Sequence, residues 1–238
     1  MDVDFRSWKG CVSMRMCVVF EKGERLRHLG HLDLMRTVQR SLRRAGLPVS
    51  YSKGFNPHIL LNFASALSVG AIGEHEILDV RLDQDMSEEE FQNRFSPACP
   101  HDIHILAVHT IPDTLPALMS LVRAGEWEMK ITDPVAEQIL MDHLDSFMNQ
   151  SEIEAVRKTK SGEKICNIRP AIYGVRITEH KAFHMILEAT EGSACKPSML
   201  LKAMCDFSEI GVPRVLLTRM HLLAENDEHQ LVPLENLL

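Results

Sequence analysis

Two arginines and two histidines are concentrated just before and at the start of a predicted helix: Arg25, Arg27, His28 and His31. Backbone N–H groups at a helix N-terminus bind anions, and guanidinium and imidazole groups donate hydrogen bonds to phosphate oxygens. This cluster therefore indicates a phosphate-binding site. The alternative is that Arg25 and Arg27 are solvated and that Asp33 caps the helix.

A second group of cations follows on the same predicted helix. Arg36, Arg40, Arg43 and Arg44 are spaced by four, three and one residues, which places them about 5 Å apart on one helix face. Such crowding of like charges is unfavourable unless an anion relieves it. We expect this stripe to bind RNA or an acidic partner, with a solvated helix face as the alternative.

The third group is the loop 51–58, with the sequence YSKGFNPH. Its aromatic rings and polar donors are suited to holding an unstacked base beside its phosphate, while glycine and proline shape the turn. The candidate nucleic-acid-binding residues of this loop are Tyr51, Lys53, Phe55, Asn56 and His58. In the alternative interpretation the loop is a plain turn whose Phe55 packs into the core.

The histidines also allow an enzymatic interpretation. His28, His31 and His58 are candidates for the acid and base of RNA cleavage, because imidazole exchanges protons near neutral pH. No spacing in the sequence requires that these three side chains meet.

The usual signatures of cofactor and metal enzymes are absent from the chain. Six cysteines without a C-x-x-C pair predict reduced thiols. His101 and His104, on either side of Asp102, are typical of a solvated turn rather than a metal site. We therefore expect no metal and no cofactor.

The predicted elements that position these groups follow a βαββαβ order. They are a strand over 14–20, a helix over 32–45, strands over 58–66 and 76–82, a helix to Phe95 that Ser87 caps, and a strand over 103–110. This order is typical of the ferredoxin-like split βαβ, in which two helices cover one face of a four-stranded antiparallel sheet. We expect the other face to be free for a partner.

The fold class that follows is α+β, with two tandem ferredoxin-like (split βαβ) domains and antiparallel sheets. Residues 14–110 form the first domain, with the basic helix. Pro112 and Pro116, in a stretch without periodicity, predict a linker over 111–118. Residues 119–238 repeat the element order with an inserted strand, and residues 1–13 are expected to be an N-terminal tail.

Charge is distributed unevenly along the chain, whose formal net charge is −7. Residues 22–58 carry eight Lys or Arg against two acids, a net +6, whereas the rest carries 18 basic against 31 acidic residues, a net −13. This pattern favours one localised anion-binding surface. No stretch approaches the ~18 apolar residues that span a bilayer, so we expect a cytoplasmic protein without membrane contact.

Three motifs carry a resemblance to a known family. RHLGHLDLMR at 27–36, RRAGLP at 43–48 and SKGFNPH at 52–58 are similar to motifs of the radical-SAM-linked bacterial protein family, a domain-of-unknown-function family. In the second half, NIRP at 167–170 resembles a family motif that usually begins with Asp. The resemblance covers nearly the whole chain from about Met14 and implies Asn167 and Arg169 as site residues of the second domain.

The resemblance implies an accessory role. Family members are found beside, or fused to, a cobalamin-binding radical SAM enzyme, often near genes for a ribonuclease and a large-subunit ribosomal protein. The cysteines that bind the iron–sulfur cluster of radical SAM chemistry would lie on that partner, since this chain lacks a C-x-x-x-C-x-x-C motif. We thus expect an accessory protein, non-catalytic itself, that binds RNA and presents it to the radical SAM enzyme.

Two alternatives stay open at this point. One is a metal-independent RNA-processing or RNA-modifying enzyme that uses the histidines of the first domain, resembling the duplicated ferredoxin-like CRISPR endonucleases. The other is a module that binds protein only.

Overall fold

The structure, a computed structural model, describes residues 14–159 and 162–238, with the side chains of 158 and 159 excepted. The predicted tail, 1–13, lies outside the described residues. The described chain divides into two compact units. The first comprises residues 14–69 with His75–Leu121 and Glu235–Leu238, and the second comprises Gly70–Glu74 with Val122–Leu234.

The first unit contains the elements predicted for residues 14–110. They are β1 (Met14–Lys22), α1 (His31–Arg44), β2 (Leu61–Phe63), β3 (Ala71–Leu82), α2 (Glu88–Phe95) and β4 (Ile103–Ile111), followed by the short α3 (Leu118–Leu121). The strand order is β4-β1-β3-β2, with antiparallel pairing of β4 with β1 and of β2 with β3. The second strand is shorter than predicted because only 61–63 form a continuous ladder with β3.

Helical periodicity explains the position of α1. Leu34, Val38 and Leu42 share one face and are buried in the core, together with Phe20 of β1 and Phe91 of α2. Outside this stripe the helix is largely polar, so hydrophobic burial fixes which face is left for the arginines. The predicted cap of α2 is confirmed, since Ser87 Oγ accepts the Glu90 N–H at 3.1 Å.

The sheet face opposite the helices is covered at β1, which corrects the expectation of a free face. Arg15, Cys17 and Val19 on this face are all buried. The Arg15 guanidinium pairs with Asp79 at 2.5 Å and donates to the carbonyl oxygens of Pro112 and Leu115 at 3.2 and 2.6 Å. The start of the predicted linker is therefore fastened to the sheet by a buried arginine.

The second unit also combines helices with antiparallel strands. Its elements are β5 (Val122–Ile131), α4 (Pro134–Met148), β6 (Glu154–Thr159), β7 (Gly162–Asn167), β8 (Ile172–Ile177), β9 (Phe183–Glu188), α5 (Pro197–Phe207), β10 (Val215–Glu225) and β11 (Leu231–Pro233). The strand order is β10-β5-β9-β8, and β11 adds to β10. The predicted insertion is a two-stranded hairpin, β6-β7, rather than one strand.

The chain is thus α+β with mostly antiparallel pairing, as predicted. The first residues of β3, Ala71–Gly73, belong to the second unit, where they pair in parallel with β10. Gly70–Glu74 thus belongs to the second unit and Glu235–Leu238 to the first, so a single division at 111–118 does not separate the two units. The predicted domain limits stay a prediction. None of the helices in the part of the chain that the structure describes combines the length and the hydrophobicity that a transmembrane helix requires.

Candidate nucleic-acid-binding site

The loop 51–58 is closed at its base by residues near its two ends. Tyr51 and Ile59 form an antiparallel bridge, and the Ser52 N–H donates to the His58 carbonyl oxygen at 2.8 Å. The Ser52 hydroxyl accepts the His58 backbone N–H at 3.1 Å and lies 2.7 Å from His58 Nδ1. Gly54 has φ +130°, a conformation that L side chains rarely adopt, and so allows the turn. The result is a closed loop with a projecting tip.

The tip of this loop presents its side chains to solvent. Phe55 is fully exposed, which overturns the alternative that it packs into the core. Tyr51 is 44% exposed, and Lys53 and Asn56 are exposed as well. Burial of an aromatic ring contributes about 1.5–3 kcal/mol of free energy. A partner that covered the fully exposed ring of Phe55 would gain this contribution, which the fold itself does not use.

The arginine stripe of α1 separates into paired and unpaired members. Arg36 forms an exposed ion pair with Asp33 at 3.1 Å, and Arg44 donates through Nε to the Ala98 carbonyl oxygen at 3.1 Å. Within the described side chains, the guanidinium groups of Arg40 and Arg43 have no hydrogen-bond or ion-pair partner. Arg44 thus has a structural role, and the cations left for a ligand lie on the last two turns of α1.

The cluster before α1 is held by residues that sequence analysis did not identify. Lys22 is fully buried, and its Nζ donates to the carbonyl oxygens of Arg27 and Leu29 at 3.3 and 3.4 Å. The Asp102 carboxylate accepts the Arg25 backbone N–H at 2.8 Å. Neither role has a signal in the sequence, because Lys22, the last residue of β1, and Asp102, just before β4, come together only when these two strands pair.

The functional groups of this cluster are only partly engaged. The Arg27 guanidinium pairs with Glu24 at 2.5 Å and contacts His28 Nε2 at 3.2 Å, whereas the Arg25 side chain is largely exposed. No side chain caps the N-terminus of α1 at Gly30, so Asp33 is not its cap. These features are compatible with anion binding, but the cluster contains an internal acid that competes for its cations.

The predicted turn at 101–104 supports this region. Burial tends to raise the pKa of Asp102, but hydrogen bonds from the Arg25 N–H and from His101 lower it overall. His104 Nδ1 lies 3.2 Å from Glu21, whose hydrogen bond raises the pKa of this imidazole. Asp102 therefore helps to hold the 3₁₀ turn Glu24–Leu26 at the start of β4.

The three candidate catalytic histidines do not form one site. The His31 ring packs edge-on against Phe63, with ring centroids 5.4 Å apart. His58 precedes Phe63 by five residues, and this mostly extended segment runs beside β3. At the rise of a strand, His58 and Phe63 are therefore roughly 16 Å apart. His28 and His31 lie at the N-terminus of α1, whereas His58 lies in the loop beyond its C-terminus.

Asn167 and Arg169 in the second unit form a local turn. Asn167 Oδ1 accepts the N–H groups of Ile153 and Arg169 at 3.0 and 2.9 Å. The Arg169 guanidinium donates to the Ile172 carbonyl oxygen at 3.3 Å. An aspartate oxygen would accept the same two N–H groups, so the Asn found here preserves the turn.

Comparison with known proteins gives a family but no activity. No curated protein matches the chain. A solved structure described as "Crystal Structure of an Unknown Protein from Galdieria sulphuraria" is similar over 87% of this chain and 99% of its own, with 8% identity and a TM-score of 0.26. A likeness at that level carries no argument about fold or function.

The family model described as "Uncharacterized protein conserved in bacteria (DUF2344)" matches residues 15–197. This match confirms the predicted bacterial domain-of-unknown-function family, whereas the association with a radical SAM enzyme stays a prediction. The chain belongs to the bacterial family DUF2344.

Proposed function

We propose that this protein is an RNA-recognition accessory subunit. The observation that carries the proposal is the tip of loop 51–58, where a fully exposed Phe55 lies among outward-facing Lys53, Asn56 and His58. Stacking of a base on an aromatic side chain contributes about 1–3 kcal/mol, and nearby donors bind base edges and phosphates. The tip supplies both kinds of group.

The position of the unpaired arginines supports RNA as the ligand. Arg40 and Arg43 lie on the last two turns of α1, and the chain passes from there through Pro48 into the loop. The Pro48 carbonyl oxygen accepts the Asp83 N–H at 2.8 Å, and Val49 bridges to Leu82, so this connection is fixed to the end of β3. Arg40 and Arg43, which would bind phosphates in this proposal, therefore lie on the helix whose C-terminal connection to the loop is held in place.

The proposed fold is a pair of ferredoxin-like domains. Its support is the strand order, β4-β1-β3-β2 in the first unit and β10-β5-β9-β8 in the second, each with helices after the first and third strands. The split βαβ has this order. The β6-β7 hairpin would be an insertion in the second copy.

We further propose that the bound RNA is presented to a cobalamin-binding radical SAM enzyme in the cytoplasm. The support is the resemblance of the motifs at 27–36, 43–48 and 52–58. In this proposal the partner carries the cofactors and performs the chemistry. This chain binds the RNA and positions it for the partner.

Crosslinking and sequencing of RNA bound to the tagged protein in its native cell tests the proposal. We expect a defined RNA site in the wild type that is lost in Phe55→Ala and in the Arg36→Gln/Arg40→Gln/Arg43→Gln variant. Arg44→Gln is the matched control, because its guanidinium already binds Ala98. Equal RNA recovery from all variants, or background RNA only, would overturn the proposal.

Two further assays, a nuclease-treated pull-down and a cleavage assay with purified protein, distinguish the two alternatives. A protein-interaction module predicts that a partner protein is recovered equally well after nuclease treatment, with no specific RNA. A histidine nuclease predicts metal-independent cleavage by purified protein that is lost in His31→Ala. The separation of His31 from His58 argues against a shared acid–base pair of these two residues.

A further inference from the structure

We infer that Ser52 fixes the His58 imidazole as an outward N–H donor, so that His58 donates a hydrogen bond to an acceptor oxygen of RNA. The inference rests on the proposed function and deepens it. It assigns Ser52 as a positioning residue and gives His58 a binding role instead of the catalytic one considered from the sequence.

One hydroxyl group, that of Ser52, makes two contacts with His58. The Ser52 Oγ accepts the His58 backbone N–H at 3.1 Å and lies 2.7 Å from His58 Nδ1. The backbone bond from the Ser52 N–H to the His58 carbonyl oxygen, at 2.8 Å, holds the two residues in register. A serine hydroxyl has one proton to donate and two lone pairs to accept with.

The proton of this hydroxyl favours one tautomer of the imidazole. The backbone N–H of His58 occupies one of the two lone pairs of Oγ, so Oγ could accept from a protonated Nδ1 or donate its own proton to an unprotonated Nδ1. Only the second arrangement gives the hydroxyl proton a partner among the described residues, and we adopt that arrangement. When Nδ1 accepts the hydroxyl proton, a neutral imidazole carries its own proton on Nε2. The hydrogen bond of one ring nitrogen thus sets the state of the other.

The protonated nitrogen belongs to an exposed ring on the projecting loop. His58 is exposed, as are Lys53 and Asn56, and these three side chains have no further hydrogen-bond partner within the described residues. A neutral imidazole with its proton on Nε2 has no lone pair there to take up another proton. His58 can therefore donate to an RNA oxygen through Nε2 but cannot act there as a general base.

Nitrogen-15 NMR of the full chain tests the tautomer directly. We expect the His58 signals of wild type near neutral pH to show a protonated Nε2 and an unprotonated, hydrogen-bonded Nδ1. Ser52→Thr, which keeps the hydroxyl, should give the same pattern, and Ser52→Ala should give averaged tautomers. A His58 signal that is unchanged in Ser52→Ala would overturn the inference.

Binding of a labelled dodecamer of uridine, measured by fluorescence anisotropy, tests the use of this donor. We expect Ser52→Ala to weaken binding by about threefold to tenfold, and Ser52→Thr to bind as wild type, because one oriented hydrogen bond is affected. His58→Gln places an amide N–H near the position of Nε2 and should retain most of the affinity. His58→Asn, whose amide lies nearer Nδ1, should lose about tenfold.

The outcomes separate the inference from the proposed function. If the NMR pattern holds but wild type does not bind the dodecamer or cellular RNA, the RNA function fails and with it the role assigned to the donor. If wild type binds RNA and Ser52→Ala or His58→Asn binds equally well, the inference fails and RNA binding stands. Loss of binding in His58→Gln equal to that in His58→Asn would also overturn it.

Discussion

Phe55 is the residue at which stability and function separate most clearly. Because its ring is fully exposed, Phe55→Ala removes no packing contact and should leave the free energy of unfolding within about 0.5 kcal/mol of wild type. RNA affinity should fall by about 1–3 kcal/mol if a base stacks on the ring. Anisotropy with an RNA dodecamer and urea unfolding measure the two quantities on the same sample.

Phe95 is the matched control for this prediction. Its ring is almost fully buried in the first core and packs edge-on against Phe91 at 5.5 Å between centroids. Phe95→Ala should cost about 3–5 kcal/mol of stability. A Phe55→Ala variant that loses stability instead of affinity would show that the loop tip has a structural role.

Asn167 tests whether the family motif in the second unit is structural. Its Oδ1 accepts two backbone N–H groups, so Asn167→Ala should destabilise the protein by about 1–2 kcal/mol, as the loss of a comparable cap does. Asn167→Asp keeps the acceptor and should be close to neutral, which urea unfolding can establish. RNA binding that changes in Asn167→Asp without a change in stability would instead indicate a site.

At the scale of elements, helix α1 combines a buried apolar face with a cationic face that is only partly paired. Neutralising Arg40 and Arg43 together with glutamine should lower the slope of log affinity against log salt by about 1.4, since each phosphate contact to a single strand contributes about 0.7. The measurement is RNA affinity at several salt concentrations.

Arg44→Gln provides the contrast on the same helix. Its guanidinium donates to the Ala98 carbonyl oxygen, so the substitution should lower stability and leave the salt slope unchanged. If all three arginines affect the slope equally, the division into paired and unpaired cations is wrong.

Much of the element pattern was predictable from sequence, because periodicity and capping are local signals. The limits of α1 and α2 agree with the prediction within one residue, and the Ser87 cap is present as expected. The short β2 and the burial of Arg15 were not predictable. Both depend on pairing with β3 and on contacts with residues far along the chain.

The candidate site likewise has features that local sequence signals predict and features that depend on tertiary contacts. The loop 51–58 was found from composition, because glycine, proline and alternating rings and donors are adjacent in sequence. The separation of His31 from His58 depends on the course of the chain beside β3. The hydrogen bond from the Arg44 guanidinium to the carbonyl oxygen of Ala98, 54 residues away, is likewise a tertiary contact with no sequence signal.

The buried pair of Arg15 and Asp79 links β1, β3 and the segment that begins at Pro112. Asp79→Ala leaves a buried guanidinium without its carboxylate and should cost about 3–5 kcal/mol of stability. The double variant Arg15→Met/Asp79→Leu should recover part of that loss, because neither charge remains buried while the Pro112 and Leu115 carbonyl oxygens lose their donor. Urea unfolding of the single and double variants decides this, and equal stabilities of Asp79→Ala and wild type would contradict it.

At the scale of the whole molecule, the charge pattern concentrates the binding potential. The net +6 of residues 22–58 contrasts with −13 on the rest of the chain. An acidic remainder repels phosphates, so weak contacts elsewhere are disfavoured and association is directed to the basic segment. Within the described part of this segment, Arg40, Arg43 and Lys53 have no hydrogen-bond or ion-pair partner and are the cations that the proposed binding would use.

Buried thiols are expected to make the free energy of unfolding decrease at alkaline pH. Burial raises the pKa of Cys17 and of Cys195 to about 12 and that of Cys99 to about 11, from an ordinary value of 9.0. Above pH 9 the unfolded chain loses these protons while the folded chain keeps them, so the folded state binds more protons. Stability should therefore be intact below pH 9 and fall as pH rises toward 12.

The expected loss is about 1.4 kcal/mol per pH unit for each thiol that is protonated only in the folded state. Urea unfolding between pH 8 and 11 measures this slope, and the variant Cys17→Ala/Cys99→Ala/Cys195→Ala separates the thiols from lysine and tyrosine titration. We expect a shallower decline in the variant above pH 9 and parallel curves below it. If wild type and variant decline with the same slope, burial does not hold these thiols protonated.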